Sequence, residues 1–227
     1  MGMLHLLDNI FWNTLTGPHA KFAAGAGLAR RYAPGFSPIL GFADLKHPDF
    51  ESLAPYCEPG ESFYCSGWSG IMPAGWRLEM ESMMVCMARE GANPVWDDAL
   101  EAVPLRPEHA AQALELATLT NPGPFGPRTI ELGEYYGYFK AGRLIAMAGE
   151  RMHAGALREV SGVCTHPDHQ GRGHARQLMN KVIAHQLRRQ QIPFLHVMSG
   201  NERARELYER LGFRDYRETV VRVVSPC

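Results

Sequence analysis

The chain has 227 residues, with 23 Lys plus Arg against 24 Asp plus Glu and a formal net charge of −1; 45% of it is hydrophobic and 21% charged. That is ordinary globular composition, with no broad basic field for nucleic acid or an anionic membrane surface. No apolar run approaches the roughly 18 residues that a membrane-spanning helix needs, so neither nucleic-acid nor membrane partners are expected.

In chain order, residues 1–8 lack a basic n-region and are broken by His5 and Asp8, so no signal peptide is expected. Residues 36–42, 61–68 and 76–87 read as strands, and 47–55 hold a short helix. From Glu101 the pattern is more regular. It gives a strand (102–105), a helix opened by Arg106-Pro107 (108–119) and a proline-rich loop (120–128). A hairpin then turns at Ala141-Gly142 (135–140 and 144–151), and a third strand follows (157–165). A glycine-rich turn next opens a helix (175–187), a strand begun by Pro193 follows (194–198), and an amphipathic helix from Asn201 ends at Gly212. Strands broken by helices argue for an α/β fold with a mixed sheet, and the helical crossover predicts parallel pairing of the strands on either side of 173–190. Trp12, Trp68, Trp76, Trp96, Met80, Met83, Met84 and Met87 are expected in the core. The five cysteines (Cys57, Cys65, Cys86, Cys164 and Cys227) are odd in number, widely spaced and without C-x-x-C. That predicts reduced thiols of a cytoplasmic protein, with no disulfide framework and no metal site.

The most informative stretch is Gln170-Gly171-Arg172-Gly173-His174-Ala175, between a strand and a helix. Free N–H groups and the dipole at a helix N-terminus attract phosphate, glycine lets the backbone approach it, and Arg172 and Arg176 add cationic donors. A P-loop would need Lys-Ser or Lys-Thr after the glycines, and a dinucleotide fingerprint a third glycine where Arg176 stands; neither is present. The pattern [RQ]-x-x-G-x-[GA] is met by Gln170, Gly173 and Ala175. It resembles the acyl-CoA pyrophosphate loop of the GNAT superfamily of N-acetyltransferases. Two further motifs agree in order: Val163-Cys164-Thr165-His166-Pro167 is similar to the family's fourth strand and its exit. Asn201, Ala204, Tyr208 and Gly212-Phe213 are similar to its N-x-x-A-x-x-x-Y-x-x-x-G-F signature.

The resemblance covers about residues 102–227. It implies a GNAT N-acetyltransferase domain there, with acetyl-CoA as cosubstrate. Residues 1–101 form an additional α/β region, expected to be a degenerate GNAT-like half, a cap on the acceptor site or an extension that completes the core. The resemblance further implies that Val163, Cys164, Thr165, Gln170, Gly171, Arg172, Gly173, His174, Ala175, Arg176 and Asn201 bind the cofactor. Tyr208, at the family position, is the expected general acid for the leaving thiolate. Glu159 is the expected base, at the offset of the catalytic glutamate in the histone-acetylating branch. On strand alternation it should share a face with Ser161, Val163 and Thr165, with a raised pKa. Glu150 or a water chain are the alternatives. The expected reaction is direct acetyl transfer to a primary amine of a small molecule or amino-acid derivative. A protein amino group as acceptor, a non-catalytic acyl-CoA sensor and a homodimer stay open.

Overall fold

The computed structural model describes residues 3–91 and 96–227; Met1 and Gly2, which begin the segment read for a leader, lie outside them. A 3-10 turn at Leu4–Asn9 leads into helix α1 (Ile10–Thr16). Strands β1 (Ala23–Ala24), β2 (Ala29–Tyr32) and β3 (Leu40–Phe42) make a small antiparallel sheet. Helix α2 (Phe50–Leu53) starts where Asp49 accepts a hydrogen bond from the Ser52 N–H at 3.1 Å. Then come β4 (Phe63–Ser66), β5 (Trp76–Arg89), β6 (Val103–Pro104) and α3 (Ala110–Thr120). The chain continues through β7 (Tyr135–Lys140), β8 (Arg143–Ala154), β9 (Leu157–Thr165) and α4 (His174–Arg188). It closes with β10 (Ile192–Met198), α5 (Glu202–Arg210) and β11 (Phe213–Pro226).

The fold is mixed α/β, built on one eight-stranded sheet in the order β4-β11-β5-β10-β9-β8-β7-β6. Among the described strands of this sheet, β9 and β10, joined through α4, are the one pair that runs parallel, as the crossover requires. Strand β5 lies between β10 and β11, so residues on both sides of position 101 share this sheet. Period-two alternation sends Met84, Cys86 and Ala88 of β5 to one face, where Ile10, Phe11 and Leu15 of α1 cover them together with Leu157 and Phe194. Val85 and Met87 go to the other face, under Leu178, Met179, Val182 and Ile183 of α4. A third cluster sets Leu116 and Ala117 of α3 against Tyr135, Leu144 and Cys164.

Four expected core residues are not in it: Trp12 and Met80 are half-buried outside the core clusters, and Trp96 and Met83 are exposed. Trp96 is 79% exposed, because its segment is anchored by its neighbours: Asp97 pairs with Lys181 at 3.0 Å and Asp98 with Arg176 at 3.0 Å. Met83 is 43% exposed; it shares the face of Val85 and Met87 but lies outside the cluster they form. Trp68, Trp76, Met84 and Met87 are buried as expected. Among the described residues no helix is long and apolar enough to cross a membrane.

Candidate active site

Strands β9 and β10 pair only from Leu157 to Glu159 against Ile192 to Phe194; beyond that, β10 runs on against β5 and β9 against β8. The sheet is therefore split at its centre. Within the free half of β9 the register slips by one residue between Ser161 and Cys164, around Gly162 at φ +63°. A Cβ there would stand 2.8 Å from Cε1 of Tyr135, so both the turn of the backbone and the ring beside it demand glycine. The bulge flips the alternation. Leu157 packs with the α1 cluster, whereas Val160 and Val163 both face α4. Glu159 and Val163 consequently lie on opposite faces, which corrects the single-face reading of Glu159, Ser161, Val163 and Thr165.

On the α4 side a groove of about 440 Å³ is lined by Val163, Cys164, Thr165, Gln170, Gly171, Gly173, His174, Ala175, Arg176, Asn201 and Tyr208. Arg172 turns instead to an adjoining depression with Lys140 and His169. Gly171 and Gly173 have φ of +75° and +81°, and a Cβ on either would meet no protein atom within 4 Å. Glycine there serves the backbone and keeps the space in front of it open, which fits a phosphate brought close to the chain. Gly173 is the N-cap of α4 and no side chain caps the helix, so its first N–H groups point outward unpaired by a cap. Asn201 is the N-cap of α5, its Oδ1 accepting from the Ala204 N–H at 3.2 Å. Tyr208 projects from the apolar face of α5 beside Ala204, Leu207 and Leu211, edge-on to Phe213 at 6.3 Å. Burial pushes its phenol up to about 12, so it carries its proton at neutral pH.

Glu159 is elsewhere, 1% exposed. It accepts from Arg151 Nε and Nη2 at 2.9 and 2.8 Å, from His196 Nδ1 at 2.9 Å and from the Met152 N–H at 3.1 Å. Burial alone would raise its pKa, but the Arg151 charge and the hydrogen bonds from His196 and Arg151 outweigh it and hold the carboxyl at about 2. The expected upward shift is reversed. Glu150 is also buried, hydrogen-bonded to Arg189 and to the Glu134 N–H. Sequence reasoning missed Arg151 and His196. The available signal was the arginine ending a predicted strand, since a buried glutamate on the next strand needs a cation opposite it.

These groups set a pH optimum for stability. Burial, and next the Arg158 charge, hold His19 at about 4 and His153 at about 3, against 6.5 when unfolded. Unfolding therefore takes up protons below pH 6.5, and stability falls as pH drops through those values, Glu159 adding to the loss between 4.5 and about 2. Burial opposes the charged form of His196, but Cys86 and Glu159 raise it to about 9. Its contribution is complete below 6.5 and lost as pH rises through about 9. Urea midpoints measured across pH should peak near 6.5; a curve still rising at pH 9 would contradict the assignment of His196.

The family of FR47-like proteins matches residues 135–223. A structure from Novosphingobium aromaticivorans DSM 12444, assigned to the GNAT family of acetyltransferases, is 34% identical with a TM-score of 0.88, over 98% of this chain and 99% of that one. A GCN5-related N-acetyltransferase-like protein from Streptococcus suis 89/1591 shares the fold, with 14% identity and a TM-score of 0.61 over 96% of this chain and 92% of its own. The GCN5-related N-acetyltransferase from Sphaerobacter thermophilus is 16% identical with a TM-score of 0.51, over 86% and 76%. No curated protein matches the chain. The chain belongs to the GNAT family of acetyltransferases, enzymes that generally use acetyl-CoA.

Proposed function

We propose that the protein transfers the acetyl group of acetyl-CoA directly to a primary amine of a small molecule or amino-acid derivative, within a ternary complex. The observation that carries this is the single groove joining the open N-terminus of α4 to Tyr208. The pyrophosphate sits on the N–H groups of the 170–176 turn, and the pantetheine arm follows the backbone of Val163, Cys164 and Thr165 where β9 leaves β10. The Val163 N–H polarises the thioester carbonyl, a fixed donor of the kind that stabilises a transition state by about 3–4 kcal/mol. Tyr208 then passes its proton to the departing thiolate. Proton removal from the ammonium is assigned to a water chain, because Glu159 is held as a buried anion against Arg151 and Glu150 is buried and bonded to Arg189.

The acceptor side supports a small substrate. The 121–128 tract is pinned to the N-terminal region: the Arg128 N–H donates to the Gly35 carbonyl at 2.7 Å and Ser37 Oγ to the Pro124 carbonyl at 3.2 Å. Arg151 Nη1 donates to the same Pro124 oxygen at 3.2 Å, joining the tract to the Glu159 pair. A wall fixed at Pro124 and Arg128 suits a compact amine better than an extended peptide. Tyr208→Phe should lower kcat by roughly 10²-fold with little change in the KM for acetyl-CoA, as loss of a general acid does. Steady-state kinetics with thiol release test this, and an unchanged kcat would overturn the acid role.

A further inference from the structure

A second cluster of reactive side chains lies on the α1 face of the sheet, apart from the acetyl-transfer groove. Cys86 of β5 stands directly opposite His196 of β10 on one side and Arg217 of β11 on the other. Residues so placed on antiparallel strands hold their Cβ atoms about 4.5–5.5 Å apart. All three line one cavity, closed around by Asp8, Asn9 and Thr219. Its free space is about 20 Å³, room for one molecule the size of water.

The cluster sets a thiol between an imidazole and a guanidinium. Glu159 accepts from His196 Nδ1 at 2.9 Å, so Nε2 is the ring nitrogen left for Cys86, the residue opposite on β5. Phe11 and Phe194 stand edge-on to the imidazole at 5.8 and 5.7 Å and fix its plane. The neighbouring Glu159 carboxylate and Cys86 favour the charged imidazolium, and Arg217, held by Asp8 at 3.5 Å, adds a second cation. The other buried cysteines lack this company. Cys65 has Arg222 opposite it and Cys164 has Met147, with no imidazole at either, and burial pushes both thiols up to about 12.

We propose that Cys86 is an oxidation site for hydrogen peroxide, its thiol activated by the His196–Glu159 pair and Arg217 at the edge of this small cavity. The Cys86 thiolate attacks one peroxide oxygen; the S–O bond forms as the O–O bond breaks, sulfur is oxidised and the peroxide reduced. The departing hydroxide takes the proton of His196 Nε2 and leaves as water, giving a sulfenic acid beside a neutral imidazole. At 4% exposure, Cys86 is open only to an oxidant as small as hydrogen peroxide and excludes bulky disulfides and aromatic thiol reagents.

The test exposes the folded protein to hydrogen peroxide, quenches with catalase, and unfolds it in dimedone before peptide mass spectrometry. Cys86 should be sulfenylated an order of magnitude faster than Cys65, Cys164 and the exposed Cys227, while 5,5′-dithiobis(2-nitrobenzoate) leaves it untouched in the folded state. His196→Gln should remove that advantage, with continued protection of Cys65 and Cys164 reporting an intact fold. Arg217→Gln, at a half-exposed position, should slow the reaction without any risk to the core. Oxidation of Cys86 no faster than Cys65 overturns the proposal, as does an unchanged rate in a folded His196→Gln protein. Ready reaction with the aromatic disulfide overturns the size restriction.

Discussion

Calorimetric titration of Gly173→Glu with acetyl-CoA should show affinity at least about 100-fold below that of the unaltered protein, a loss of roughly 2.7 kcal/mol. Position 173 has φ +81°, which costs a side-chain-bearing residue about 1–3 kcal/mol. Part of that is offset, because a carboxylate at a helix N-terminus gains about 0.3–1 kcal/mol from the dipole. Nothing in the protein lies within 4 Å of the new Cβ, so the fold should persist. What fails is binding: the carboxylate occupies the place meant for the pyrophosphate and repels it. Circular dichroism separates this from unfolding, and full-strength binding by the folded variant would refute the assignment of the 170–175 turn.

Arg151→Met should cost about 3–5 kcal/mol of stability, because it strips a fully buried carboxylate of its counter-charge. Set against total stabilities of about 5–15 kcal/mol, that is a large share. In the variant Glu159 loses the charge that lowers its pKa while keeping the burial that raises it, so the deficit should grow with rising pH. Adding Glu159→Gln should return much of the loss, since a neutral amide keeps hydrogen-bonding capacity without an unpaired charge. Urea denaturation of the two single variants and the double one measures the coupling. A single-variant loss under about 1 kcal/mol would mean that the pair is not the ionised unit described.

Much of the groove was legible because its parts are local. A glycine turn between strand and helix, an asparagine N-cap and a tyrosine on the apolar face of a short helix are each set by residues within a few positions of one another. Gln170 to Arg176, Asn201 and Tyr208 follow from such neighbours, with Arg172 alone turned aside. Glu159 misled because its surroundings are decided by chain segments far from it. Arg151 and His196 reach it from two other strands, and alternation counted across Gly162 ignores the extra residue of the bulge. A glycine inside a strand pattern was the one warning available. Strand β11 escaped because its first half, Arg214, Asp215, Arg217 and Glu218, reads as polar; apart from Phe213 at its start, its buried residues run from Val221 to Ser225 near its end. Trp96 shows the reverse error, an aromatic counted as core although two aspartates beside it do the anchoring.

The central place of β5 has a consequence at the ribosome. Its Met84–Ala88 run, buried on both faces in the finished sheet, leaves the exit tunnel long before either of its hydrogen-bonding neighbours exists. At typical elongation rates of about 5–20 residues per second, β11 follows roughly 6–25 seconds later. For that interval the nascent chain carries an apolar strand with two unpaired edges, the kind of segment that holdase chaperones cover and that self-associates when left bare. Closure of the sheet must wait for the last fourteen-residue strand to arrive, so chains truncated before it should be far more aggregation-prone than their length implies.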